Sequence, residues 1–194
     1  MKTSLAVAAA ALLSLTPAAF AQAPGSAATP APAAGTQRGT MEAAGHPSKA
    51  TANFVQKAAM TDMFEIQAGQ LAQEKSQNQN VKQFGQQMVT DHTQTSEKLK
   101  SIASAAGMTV PAALDQEHQK LLTQLRGDSG AKFDRAYVSS QRTGHKQAIA
   151  LYENYVKHGQ NAELKQFAQQ TLPTLRHHLQ MADNLKVGAK RTGS

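Results

Sequence analysis

Apolar residues recur every three or four positions from about residue 53 to residue 187, and this stretch lacks the strict alternation that strands show. A period near 3.6 places such residues on one face of an α-helix. The pattern therefore predicts an all-α domain over residues 53–187, a length of about 135 residues that is enough for one hydrophobic core.

Helix-capping and helix-stopping residues divide this domain into four long helices and a short one. Asparagine side chains are suited to cap a helix start, and glycine is common just beyond a helix end. The predicted long helices run from about Asn53 to about Ser76, from near Asn78 to Gly107, from about Ser129 to Gly159, and from Asn161 to near Val187. The segment between the second and third contains a short helix from near Asp115 to Leu125.

The connection lengths indicate how these helices are arranged. Short loops join the first helix to the second and the third to the fourth, whereas the central crossover is long. Two hairpins joined in this way have the connectivity of a ferritin-like four-helix bundle. An open pair of hairpins that completes its core by forming a homodimer is the alternative arrangement.

The segments outside the domain predict an exported protein. Lys2 precedes an apolar run over residues 4–15, and Ala19-Phe20-Ala21 is a small-x-small cleavage site, so residues 1–21 are predicted to be a signal peptide. We expect the mature protein in the periplasm or outside the cell, without a transmembrane segment. Residues 22–52, rich in Ala, Pro and Gly, are predicted to be a disordered tether, and residues 188–194 a flexible basic tail.

Composition narrows the function further. The 194 residues include no cysteine, which excludes disulfides, thiolate metal sites and thiol nucleophiles. The formal charge is +7, but lysine and arginine are scattered without a dense run or an aromatic platform, so we expect no nucleic-acid partner. Weak association with anionic envelope surfaces stays open. No nucleophile with a neighbouring base and no glycine-rich phosphate loop supports hydrolase or nucleotide chemistry.

Each long helix carries one candidate ligand on or beside its apolar face. Helical wheels place His92 and His178 within apolar stripes, and Glu65 and His145 at the flanks of theirs. Measured from the hairpin turns, the partners within each hairpin lie within about one turn in depth. Three imidazoles and a carboxylate suit one transition-metal ion such as zinc, copper or iron. The alternative is a set of core histidines that only form hydrogen bonds.

Several segments together resemble the bacterial domain of unknown function 4142 family. They are FVQKAAMTDMFEIQAGQLA over 54–72, MVTDH over 88–92, residues 114–125, FDRAY over 133–137 and TLPTLRHHLQMA over 171–182. The resemblance implies an exported bacterial protein with a ferritin-like fold and without an established activity. It also implies a first-helix glutamate and later histidines matching Glu65, His92, His145 and His178, with His118 in the crossover.

Two departures bear on the chemistry. Gly144 stands where an acid commonly precedes the third-helix histidine in that family. Ferritin-like di-iron enzymes use Glu-x-x-His motifs, whereas Val89 and Leu175 stand three residues before His92 and His178, so di-iron oxygen chemistry is not expected.

Three functional hypotheses follow. The first is a non-enzymatic bundle in envelope stress or metal handling. The second is a metal-dependent oxidase or peroxide-consuming enzyme that uses the same four residues with Tyr137 or Tyr152 nearby. The third is a structural interaction module without metal. The distances among the four side chains discriminate between a ligand set and separate core residues.

Overall fold

The structure, a computed structural model, describes residues 47–188, so the predicted signal peptide, most of the tether and most of the basic tail lie outside the described residues. Over the described range the chain forms helices and no strand. The helices are α1 (Lys49–Lys75), α2 (Gln79–Ala105), α3 (Gln116–Gly127), α4 (Gly130–His158) and α5 (Ala162–Asn184). The all-α prediction is confirmed, with four long helices and a short crossover helix; the ferritin-like assignment stays a prediction.

Helix boundaries follow the local capping chemistry, with two corrections. The hydroxyl of Ser48 accepts from the backbone N–H of Thr51 at 3.2 Å, so α1 begins at Lys49 instead of near Asn53. Helix α5 ends at Asn184, before the predicted end near Val187, because the backbone becomes extended at Leu185. The side chains of Asn78, Asp115 and Asn161 cap α2, α3 and α5.

The first hairpin, α1 and α2, packs most closely at two facing glycines. A Cβ atom on Gly69 would lie 2.6 Å from the carbonyl oxygen of Gly85, and one on Gly85 would lie 2.8 Å from that of Gly69. Only glycine permits this backbone approach. The second hairpin, α4 and α5, packs against the first through α1–α4 and α2–α5 contacts, so the core is completed within one chain.

Two apolar clusters fill the bundle on either side of a polar layer. One cluster contains Phe54, Leu99, Tyr152 and Phe167, and the other contains Phe84, Met88, Phe133 and Tyr137. Along each long helix, the buried polar side chains fall between or beside the residues of these two clusters. Buried polar groups require partners, so this layer is where the fold departs from simple core packing.

No helix within residues 47–188 is apolar enough over a sufficient length to cross a bilayer.

Candidate metal centre

Three histidines from three helices meet in the polar layer. His92 on α2, His145 on α4 and His178 on α5 each offer a ligand atom, and these atoms lie within 4.8 Å of one another. The ring centroids are 5.3–5.7 Å apart. All three residues are at most 2% exposed, so bulk water does not hydrate the imidazoles.

The outer nitrogen of each ring is hydrogen-bonded to a protein oxygen. His145 Nδ1 donates to the carbonyl of Gln141, His178 Nε2 donates to Asp91 Oδ2, and His92 Nδ1 is bonded to Asp62 Oδ1, each at 2.8 Å. The Gln141 carbonyl and the ionised Asp91 only accept hydrogen bonds, which fixes the tautomers of His145 and His178. Burial raises the pKa of Asp62 well above its usual value, so this carboxyl group does not by itself fix the tautomer of His92.

The inner nitrogens of His145 and His178 therefore present lone pairs to each other. His145 Nε2 and His178 Nδ1 are 3.3 Å apart, yet both outer nitrogens carry the ring protons, so a hydrogen bond between the two inner nitrogens has no donor. His92 Nε2 is buried and has no hydrogen-bond partner among the described residues. A bound cation would turn this juxtaposition of lone pairs from a repulsive arrangement into a favourable one.

The separation of the two inner nitrogens fits metal coordination. Zinc–nitrogen bonds are about 2.0–2.1 Å long, and two such bonds at a tetrahedral angle place their nitrogens about 3.3 Å apart. The distance between His145 Nε2 and His178 Nδ1 is 3.3 Å. The ligand atom of His92 lies within 4.8 Å of the other two and makes His92 the candidate third ligand.

Burial keeps the three rings neutral, which is the form that binds metals. It lowers the pKa of His92 to about 4, of His145 to about 3 and of His178 to about 4. Burial raises the pKa of Asp91, but hydrogen bonds from Gln87 and His178 outweigh it, so this pKa is below its usual value. At neutral pH the inner nitrogens of His145 and His178 are therefore unprotonated, and Asp91 is ionised behind His178.

Glu65, the fourth predicted residue, lies next to the cluster and outside the three-histidine group. Its Oε2 accepts from Gln141 Nε2 at 2.5 Å, and its Oε1 lies 3.9 Å from His145 Nδ1, the outer nitrogen of that ring. Burial raises its pKa to about 8. Glu65 thus approaches the cluster from behind His145, whereas the sequence grouped it with the converging ligands.

Sequence reasoning did not identify three residues that orient the rings. These are Asp62, Gln141 and Asp91, the hydrogen-bond partners of His92, His145 and His178. The sequence carried a signal for the first, since Asp62 lies three residues before Glu65 and shares its helix face. The pairing of His178 with Asp91 could not be predicted, because these two residues lie on different helices and the helical wheel of one helix does not show contacts with another.

The other residues that the sequence singled out lie outside the ligand group. His118 Nδ1 bonds to Asp115 Oδ1 at 2.8 Å, and its ring centroid lies 5.4 Å from that of Phe64, so it packs between α3 and α1. Tyr137 and Tyr152 are buried, and burial raises the pKa of each phenol well above its usual value.

Comparison with known proteins now places the chain in a family. The model of the domain of unknown function DUF4142 matches residues 36–185, and the chain belongs to this family. No curated protein matches it.

Among solved structures, the fold is similar to those of two DUF305 proteins. One is a DUF305 fragment from Deinococcus radiodurans, with a TM-score of 0.63 and 14% identity over 71% of this chain and 95% of that one. The other is a DUF305 protein from Streptomyces coelicolor described as a candidate secreted protein, with a TM-score of 0.57 and 14% identity over 73% and 98% of the two chains. At this identity the likeness concerns the fold alone.

Proposed function

We propose that this protein is exported and binds one transition-metal ion through His92, His145 and His178, and that it serves metal handling or envelope stress in the bacterial envelope. The observation that carries this proposal is the meeting of three buried imidazoles at their inner nitrogens, each ring held by a hydrogen bond on its far side. Metal-binding histidines characteristically have such outer partners.

The alternative of purely structural histidines is disfavoured by the inner nitrogens. A structural role requires that each buried ring nitrogen find a partner. His92 Nε2 has none within residues 47–188, and the 3.3 Å contact between the other two rings joins two lone pairs. These rings would be poorly satisfied without a cation between them.

The donor set favours zinc or copper over iron. Imidazole nitrogens suit all three metals, but mononuclear iron(II) sites commonly use two histidines and one carboxylate on a single face. Here the buried carboxyl groups of Asp62 and Glu65 lie beside the outer nitrogens of His92 and His145. Three neutral histidines leave a fourth position for water or another ligand, as in three-histidine zinc sites.

The test is metal binding by the full-length mature protein, purified without a histidine tag. We expect one Zn²⁺ or Cu²⁺ per chain by elemental analysis and isothermal titration. A metal concentration 100-fold above the Kd would stabilise the fold by about 2.7 kcal/mol. For a domain of this size, that corresponds to a rise in Tm of roughly 8 °C.

Paired variants separate the site from adventitious binding. His178→Gln should abolish the stoichiometric binding, whereas His177→Gln, which changes the adjacent exposed histidine, should retain it. If zinc, copper and iron all leave the Tm unchanged, the metal proposal is wrong. A redox metal bound at the site together with peroxide consumption would instead support the oxidase hypothesis.

A further inference from the structure

A groove of about 750 Å³ opens on the side of the bundle where α3 lies across α1 and α4. Its wall is mixed, with apolar side chains from α1 and α3 and small hydroxyl side chains from α4. Both Glu65 and Gly144 line it. The groove is separate from the inner nitrogens of the histidine cluster, and it reaches the cluster only through Glu65.

Glu65 forms the floor of this groove in an unusual state for a carboxyl group. It is fully buried, and its Oε1 has no hydrogen-bond partner among the residues that the structure describes. A buried oxygen of this kind is costly unless it serves a ligand. The same oxygen lies 3.9 Å from His145 Nδ1, the outer nitrogen of that ring, so Glu65 lies between the groove and one of the three histidines.

Gly144 keeps the α4 side of this floor open. A Cβ atom at position 144 would lie 3.3 Å from Glu65 Oε1, closer than most such contacts. Glycine in a helix interior costs about 1 kcal/mol relative to alanine, and Gly144 has no positive φ that would require it. The missing side chain therefore leaves room for the Glu65 carboxylate to move.

The opposite side of the cluster is closed by hydrogen bonds. His178 Nε2 and Gln87 Nε2 both donate to Asp91 Oδ2, at 2.8 and 2.7 Å. A cation entering between α2 and α5 would have to break the bonds that orient His178. On the α1–α4 side, the Glu65 side chain is held by one hydrogen bond, from Gln141 Nε2.

We propose that this groove is the entrance through which a divalent transition-metal cation reaches the histidine cluster, with Glu65 as the carboxyl group that receives it, releasing its proton to solvent, and Gly144 as the gap that lets Glu65 swing inward. The inference rests on the proposed metal site and adds the route to it. Two acidic residues, Asp115 and Glu117, line the groove together with Lys57. Their negative charges favour the approach of a cation to a chain whose formal charge is +7.

The test is the rate of Co²⁺ loading into the metal-free mature protein, followed by stopped-flow absorbance, together with the equilibrium stoichiometry. Gly144→Ala should slow loading about 10-fold, which corresponds to an added barrier of about 1.4 kcal/mol, while one Co²⁺ per chain still binds. Gly127→Ala is the matched control, because a Cβ there meets nothing within 4 Å. It should load at the wild-type rate.

A second variant tests the same groove by another residue. Ser140 lines the groove one turn before Gly144, and its hydroxyl donates only to its own helix, at the Tyr137 carbonyl. Ser140→Leu should therefore also slow loading with unchanged stoichiometry. Circular dichroism confirms that each variant is folded before its rate is used.

The outcomes separate the route from the site. Unchanged loading in both groove variants overturns the entrance, as does faster loading in Gln87→Ala, which frees the α2–α5 side. Loss of equilibrium binding in Gly144→Ala also overturns it, because position 144 would then belong to the site itself. If the wild-type protein binds no Co²⁺, Zn²⁺ or Cu²⁺ at equilibrium, the proposed function fails.

Discussion

Replacing Asp91 with asparagine tests whether the hydrogen bonds behind the histidines tune the metal site. Asp91 Oδ2 accepts from His178 Nε2 at 2.8 Å, with its side chain 22% exposed. An amide oxygen at this position still accepts the proton but lacks the negative charge that makes imidazole a stronger donor to metal. Removing such an outer partner typically weakens metal binding 10- to 100-fold.

The expected magnitude follows from mass action. At a metal concentration 100-fold above the wild-type Kd, binding stabilises the wild-type fold by about 2.7 kcal/mol. With a Kd raised 10- to 100-fold, the same concentration gives about 1.4 down to about 0.4 kcal/mol. The stability of the metal-free variant should change by less than about 1 kcal/mol, because Asp91 is partly exposed and solvent screens its charge.

The assay is urea unfolding of each protein with Zn²⁺ and with a chelator, monitored by circular dichroism. Asp183→Asn is the matched control, because Asp183 is an exposed acid on α5 whose side chain pairs with Arg142 at 3.2 Å and forms no hydrogen bond or ion pair with a histidine among the described residues. The control should keep the full metal-dependent stabilisation. Equal losses in the two variants would show that general charge, and not the hydrogen bond to His178, sets the affinity, and no loss in either would refute the reasoning.

Three further predictions concern the metal-free fold. In the folded protein, the pKa values of His92, His145 and His178 are below their ordinary 6.5, so the contribution of these neutral rings to stability is present above pH 6.5 and is lost as the pH falls towards 4. The expected loss is about 1.4 kcal/mol per pH unit for each ring. Unfolding in chelator at several pH values measures this slope, and a flat profile would contradict it. Burial raises the pKa of Glu65 from 4.5 to about 8, so the contribution of the neutral carboxyl group to stability is present below pH 4.5 and is lost as the pH rises through 8. Glu65→Gln should reduce this loss of stability at alkaline pH, and an unchanged profile would show that another group causes it. Gly69→Ala should destabilise the fold by on the order of 2–3 kcal/mol in the same unfolding assay, because its Cβ would lie 2.6 Å from the Gly85 carbonyl oxygen, whereas an Ala at exposed Gly127 should be tolerated.

The sequence predicted most of the fold because the apolar period and the capping residues of a helix lie within the helix or next to it in the sequence. The apolar period, the capping residues Asn78, Asp115 and Asn161, and the unequal connection lengths were enough for four long helices and a crossover helix. The start of α1 was wrong by four residues. Ser48 and Asn53 both carry side chains that can cap the start of this helix. In the folded chain the hydroxyl of Ser48 accepts a hydrogen bond from the backbone N–H of Thr51, so the helix begins after Ser48.

The sequence also placed His92, His145 and His178 in one layer, since depth along a hairpin follows from counting residues at about 1.5 Å each. It could not show which ring nitrogens face each other. That choice depends on side-chain rotamers and on acceptors such as Asp91, which reaches His178 from 87 positions away in the chain. Helical wheels resolve a face to about a quarter turn, whereas ligation is decided within a few tenths of an ångström.

The sequence by itself therefore determined the helices, their order, and the four polar residues that turn inward. Only the tertiary structure decided that three of them converge while Glu65 lies behind His145, at the floor of the groove. The physical reason is the rotation and close approach of neighbouring helices, set at contacts such as the Gly69–Gly85 crossing. Those contacts join residues that are distant in sequence, so the pattern along the chain carries no record of them.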